Sequence, residues 1–225
     1  MNRTSCLLAL ALSLAAAPVL ADGKDIDKVN GSITAESGQR YGSLSTVNGS
    51  IRIESGAVVE DAETVNGAIR AADNAQSGSL ETVNGSIRVG SDATIRGDLE
   101  TVNGSIYVDA RGNVSGDVET VNGAIGLVDI DLAGGIETVN GDITIGAGSH
   151  VRGGITVEKS NSNRWFPFST KKRKPLRVVI AQDSRVDGPL HFEREVKLYV
   201  HSSAQIGPVT GATAIRYDGD RAPED

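Results

Sequence analysis

From residue 30 onward the apolar residues come in short pairs separated by one residue, and the pairs return every 18 or 19 positions. Ile33 and Ala35, Ile51 and Ile53, Ile69 and Ala71, Ile87 and Val89 open the series. Ile106 and Val108, Ile125 and Leu127, Ile143 and Ile145 continue it. Alternation with period two is the signature of a short strand with one buried face. The residue between the pair, Arg52, Arg70, Arg88 or Tyr107 in four copies, then points outward. A second apolar column, Leu44, Ala62, Leu80, Leu99, Val118 and Ile136, lies ahead of each pair. No stretch has a 3.6-residue apolar period, so no helix is predicted.

Between the two columns stands Asn-Gly, at Asn30, Asn48, Asn66, Asn84, Asn103, Asn122 and Asn140, spaced 18, 18, 18, 19, 19 and 18 residues apart. Asn-Gly is a strong hairpin signal. A hairpin, however, needs similar alternation on both sides of the turn, whereas each segment here resembles the one after the previous turn. Identical segments stack in parallel, so the predicted fold is all-β: a single-stranded, three-sided parallel β-helix of roughly ten rungs, expected to be right-handed. With rungs about 4.8 Å apart the rod is roughly 45 Å long. The Asn residues stack as a column. They are expected either to adopt the left-handed corner conformation or to bond their amides between rungs, with Gly tolerating positive φ.

One point stays open. Leu99 and Val102 lie three apart, so strict alternation cannot send both inward. A bend between them is expected; the alternative is that the column Val47 to Val139 forms an exposed apolar stripe, which would be a docking face.

The first residues, MNRTSCLLALALSLAAAPVLA, carry a basic start and a short apolar run with small residues at Val19 and Ala21. They predict a secretory signal peptide over 1–21, and with it an exported, periplasmic or extracellular product. The one cysteine, Cys6, falls inside that segment, so the body must hold together without disulfides. No later segment is apolar enough to span a bilayer. Residues 22–158 hold 9 Lys/Arg against 21 Asp/Glu, and residues 159–201 hold 10 against 4. An acidic body argues against nucleic acid as a partner. The expected organisation is 22–157 repeat solenoid, 158–177 insertion loop, 178–217 further rungs and 218–225 flexible tail.

The loop, KSNSNRWFPFSTKKRKP, breaks the repeat with Trp165, Phe166, Phe168 and the run Lys171, Lys172, Arg173, Lys174. Aromatics beside a basic cluster suit anionic lipid, lipopolysaccharide phosphates or an acidic glycan. The plainer alternative packs the rings on the solenoid flank and leaves the cations in water. His150, His191 and His201 show no metal-ligand spacing. The column Glu63, Glu81, Glu100, Glu119 and Glu137 stacks like charges, which calcium or solvent would relieve. Asp129 and Asp131 lie on one face at strand spacing, with Asp109 expected one rung below; glycan-cleaving β-helix enzymes use such clusters, but these read more simply as surface. No catalytic residue, cofactor or metal site is expected.

The repeated TVNGSI and TVNGDI segments behind a leader resemble the adhesin-type β-solenoid domains of bacterial envelope proteins. The stretch VVIAQDSRVDGPLHFEREVKLYVHSSAQIG is similar to the bactofilins, polymer-forming cytoskeletal β-helix proteins. Together the resemblances cover roughly residues 28–157 and 178–210. They imply a non-enzymatic rod that is an adhesin-like or structural envelope component, or a scaffold whose partner is itself. Neither carries a catalytic site over to this chain. Bactofilins are cytoplasmic, and the leader here departs from them.

Overall fold

A computed structural model describes residues 23–159 and 174–224. The described chain is all β and winds as a solenoid of about ten turns, with three parallel sheets as its faces. The first face holds ten strands, from Lys24–Asn30 through Leu99–Asn103 to Val209–Thr210. The second also holds ten, from Ile33–Ala35 through Ile106–Val108 to Ala214–Tyr217. The third holds seven two-residue strands, Gln76–Ser77 to Gln205–Ile206, which bridges at Arg40, Val58 and Gln76 extend toward the N-terminus. Apart from a register shift between Lys24 and Ile26, pairing joins equivalent residues of adjacent rungs: Leu80 to Leu99 to Val118 on the first face, Ile87 to Ile106 to Ile125 on the second. The nineteenth residue of the longer rungs enters between the third and first faces. There Ser77 precedes Leu80 by three positions, but Ile95 precedes Leu99 by four.

One continuous core runs along the axis, built from the paired apolar columns of the second face, the Leu/Ile column of the first and a column Val59, Ile95, Val114, Leu132, Val151 of the third. The first face corrects the expected bend. Its strands are straight, with Leu99 and Thr101 buried and Glu100, Val102 and Asn103 outside, and the other rungs repeat this pattern. Threonine, not valine, therefore lines the core. Burying a hydroxyl costs stability unless it is bonded. Thr46, Thr64, Thr82, Thr101 and Thr120 each donate Oγ1–H to the corner carbonyl of the previous rung, at Gly31, Gly49, Gly67, Gly85 and Gly104, over 2.8–3.1 Å. Valine forms a half-buried outer stripe, open at Val29 (68% exposed) and covered at Val139 (9%).

At the Asn-Gly corner positive φ occurs at Gly31 (109°) and Gly123 (156°), but no corner asparagine takes it. The left-handed residue of each rung lies between the second and third faces, at Gly38, Gly56, Asn74, Asp92, Arg111, Asp129, Gly148 and Asp183. At the Asn-Gly corner glycine is required by close approach. A Cβ on Gly67, Gly85, Gly104 or Gly141 would overlap the carbonyl oxygen of the equivalent glycine one rung before.

Candidate functional site

The asparagine column is a ladder of amides. Asn48 Nδ2 donates to Asn30 Oδ1, and the pattern continues through Asn66, Asn84, Asn103, Asn122 and Asn140 at 3.0–3.1 Å. Each amide from Asn48 to Asn122 thus uses one donor and one acceptor on its own kind. The last acceptor, Asn140 Oδ1, takes an N–H from Arg194 Nη1 at 2.7 Å; the same nitrogen bonds Val139 O at 2.8 Å. The ladder ties successive rungs together through one N–H and one acceptor per amide, as a structural joint would.

The ladder ends where the repeat breaks. Thr156 and Val157 pair with Glu137 and Thr138, and Val178 with Ile143. The chain between Val157 and Leu176 therefore takes the place of the Asn-Gly corner in its rung. Trp165, Phe166, Phe168, Lys171, Lys172 and Arg173 lie outside the described residues, and Lys174 stands exposed at the return. The signal segment 1–21 also lies outside them. The tail folds back: Arg177 donates to Pro223 O at 2.7 Å and stacks over Tyr199, closing the C-terminal part of the second face with Val179 and Tyr217.

On the outer side of the first face the glutamates pair rung to rung, Glu63 to Glu81 to Glu100 to Glu119 to Glu137. Burial of the carboxyls, then repulsion between neighbours, pushes Glu81, Glu119 and Glu137 up to about 7; burial also raises Glu63 and Glu100. Among the described residues no group of His, Cys, Asp and Glu has the geometry to hold a metal ion. Some of the acid is structural. Asp61, Asp98 and Asp117 accept backbone N–H groups of the next rung, at Ser79, Asp117 and Gly135.

The candidate catalytic aspartates are dispersed in role. Asp131 accepts from Arg152 at 2.7 Å, Asp129 occupies a left-handed corner at φ 48°, and Asp109 lines a groove on the second face. The histidines are separately engaged: His150 with Asp187 at 2.8 Å, His191 with Thr210, and His201 with Ser203.

The open part of the second face carries the most distinctive outer column. Thr34, Arg52, Arg70, Arg88, Tyr107 and Gly126 stand in register on successive rungs. The Arg88 guanidinium lies 5.1 Å from the Tyr107 ring centroid, and bare Gly126 leaves room for that ring. Glu54 approaches Arg52 only loosely, at 3.9 Å, and no ion pair forms at Arg70 or Arg88 among the described residues. Adjacent unit charges one rung apart repel by about 1 kcal/mol in water. Beside the arginines the flanking column shrinks to Ala72 and Gly90 between Glu54 and Asp109, which opens a shallow groove of about 240 Å³.

Both ends of the described rod carry a cation in a core column. Lys28 stands opposite Thr46, in the inward threonine column, and its Nζ donates to Ser32 O at 2.7 Å. Arg216 stands opposite core Val200, and its Nη1 donates to His201 O at 3.1 Å and Ala204 O at 3.0 Å. In the sequence the charged start DGKDIDK and the polar tail RYDGDRAPED read as end protection; the strand register adds that Lys28 and Arg216 within them stand in core columns. No family model, curated protein or solved structure matches this chain.

Proposed function

We propose that this chain is an exported, non-catalytic β-solenoid that acts in the bacterial cell envelope as a single adhesin-like rod, meeting its partners with its flanks. The observation that carries the reading is the pair of capped ends. A parallel solenoid ends in open strand edges, which invite another copy to stack. Here a second copy would bury the Lys28 ammonium at one end and the Arg216 guanidinium at the other, and an unpaired buried charge is strongly unfavourable. The flanks, by contrast, repeat rung after rung and vary their outer residues while the core columns between the ends stay nearly uniform. A leader over 1–21 fits action outside the cytoplasm, and the Trp165 to Lys174 segment supplies an aromatic and basic element for anionic lipid, lipopolysaccharide or acidic glycan.

The competing reading is a bactofilin-like scaffold, favoured by the half-buried Ile206, Val209 and Ala214 in the last turn. Sedimentation velocity and negative-stain imaging of the purified chain at high concentration separate the two. Monomers are expected for the natural sequence, and end-to-end oligomers for Lys28→Thr with Arg216→Val. Filaments of the unaltered protein would overturn the single-rod reading.

A further inference from the structure

We propose that Arg52, Arg70, Arg88 and Tyr107 form a binding strip for a linear acidic polysaccharide, a chain of uronate-type sugars laid along the axis of the rod. The proposal rests on the flank-binding reading above and names its partner class.

The four side chains occupy one outer column on consecutive rungs, so the backbone fixes their spacing at about 4.8 Å. The fold does not need cations there. The same column holds Thr34 one rung before and Thr144 two rungs after Tyr107, with unchanged pairing. Three stacked guanidinium groups repel one another, and internal carboxylates relieve little of that: Arg52 has one loose contact, and Arg70 and Arg88 have no ion pair among the described residues. A ligand that places a carboxylate against each fork would supply the missing counter-charge, since guanidinium and carboxylate match in bidentate geometry.

The groove beside the column narrows the choice of polyanion. Its floor is Ala72 and Gly90, and Glu54 and Asp109 stand at its two ends. Carboxylates at the margins of a basic strip suit a ligand that carries hydroxyl donors as well as negative charge. A sugar acid has both. Wide polyanions fit poorly, because a nucleic acid duplex or an anionic bilayer needs a broad basic surface. This strip is one residue wide on a body where residues 22–158 hold 9 Lys/Arg against 21 Asp/Glu. The strip is also bounded. Past Gly126 and Thr144 the face is closed by Val179, Tyr199, Tyr217 and the tail that Arg177 holds.

The test is calorimetric titration of the full chain with an oligogalacturonate long enough to span four rungs, and with a neutral glucan of equal length. The expected result is saturable, salt-sensitive binding of the oligogalacturonate and none of the glucan. Arg52→Thr with Arg70→Thr and Arg88→Thr should weaken binding by about tenfold or more. Lys at all three positions should restore part of it. Because threonine already occupies this column, circular dichroism and Tm should stay close to those of the natural protein. Should the triple variant lose its fold, Arg70→Thr alone carries the reading, with a loss of about threefold. No binding of oligogalacturonate, or binding unchanged by these substitutions, overturns the proposal. So does tighter, equally arginine-dependent binding of a single-stranded oligonucleotide, polyphosphate or anionic vesicles. A chain that forms filaments yet binds through these arginines would overturn the single-rod reading and leave the strip standing. A monomer indifferent to oligogalacturonate would do the reverse.

Discussion

The inward threonine column contains its own control experiment. Thr101 and Thr138 are the third residues of equivalent first-face strands, Leu99–Asn103 and Ile136–Asn140, and are 4% and 0% exposed. Thr101 Oγ1 donates to Gly85 O at 2.9 Å, whereas Thr138 Oγ1 has no hydrogen-bond partner. Replacing each by valine keeps the shape and exchanges a hydroxyl for a methyl. At Thr101 the change forfeits a net hydrogen bond of about 1 kcal/mol and leaves a corner carbonyl short of a donor, for about 1–3 kcal/mol in all, against about 0.8 kcal/mol gained from the methyl. Thr101→Val should therefore destabilise by about 1 kcal/mol. At Thr138 there is no bond to lose. Removing a buried, unbonded hydroxyl recovers about 1–2 kcal/mol, so Thr138→Val should stabilise. The two variants should differ by about 2–3 kcal/mol in opposite directions. Denaturant unfolding of both variants under identical conditions reads the difference. Solenoids need not unfold in one step, so hydrogen exchange of the amides at Gly85 and Gly123 should accompany it. Equal midpoints, or a Thr138→Val protein less stable than Thr101→Val, would refute the assignment of the threonine hydroxyls as rung-to-corner ties.

The glutamate column makes stability depend on pH. Glu81, Glu119 and Glu137 titrate near 7 in the folded rod, against an ordinary value of 4.5. The folded state then binds more protons than the unfolded one between those values, so Tm should rise as pH falls from about 8 toward 5. Glu81→Gln with Glu119→Gln should flatten that profile, and a Tm that falls on acidification through this window would contradict it. Arg111 holds a left-handed corner at φ 62°, where other rungs place Gly, Asn or Asp. Arg111→Asn relieves left-handed strain but also removes the exposed bidentate pair with Asp92 at 2.7 Å, so the two effects should offset and leave Tm within about 2 °C of the natural protein in a thermal melt.

What could be read from the chain depended on whether a residue's role is set by its own rung or by the next one. The 18-residue period, the paired Ile columns and the outward Arg52, Arg70 and Arg88 are properties of a single rung repeated, and they follow from alternation. The asparagine ladder also follows, because identical amides stacked in register have only each other to bond. The misread valine shows the limit. In ETVN, hydropathy favours burying Val102 over Thr101, yet alternation from Leu99 sends Thr101 inward. The threonine is affordable there only because Gly85 O of the preceding rung accepts its proton. No single-rung reading contains that carbonyl. The left-handed column was missed for a related reason. Asn-Gly is the loudest local turn signal, and Gly31 and Gly123 do take positive φ, but its glycines answer first to the neighbouring rung's carbonyl, while the left-handed non-glycine residues are Asn74, Asp92, Arg111, Asp129 and Asp183. Lys28 and Arg216 sit in charged stretches that already suit end protection, and the register singles them out by placing them over the core.

In a solenoid the column of a residue and its rung are separate coordinates, and this separates construction from recognition. Inward columns must satisfy every rung at once, so Ile33 through Ile143 hardly vary. Outer columns must satisfy only their immediate neighbours, so departures from uniformity there carry information about contact with something else. The first face keeps its outer columns nearly constant, Glu beside Val. On the third face the outer residues that break uniformity pair internally, Asp131 with Arg152 and His150 with Asp187. The second face breaks uniformity for three rungs with arginine and then with tyrosine. It does so where the flanking residues shrink to Ala72 and Gly90 and where internal ion pairs are sparse. Repulsion along that row is a cost that neither the core nor the rung ladder requires. Its persistence over consecutive rungs is the physical reason to look for a partner along the open flank.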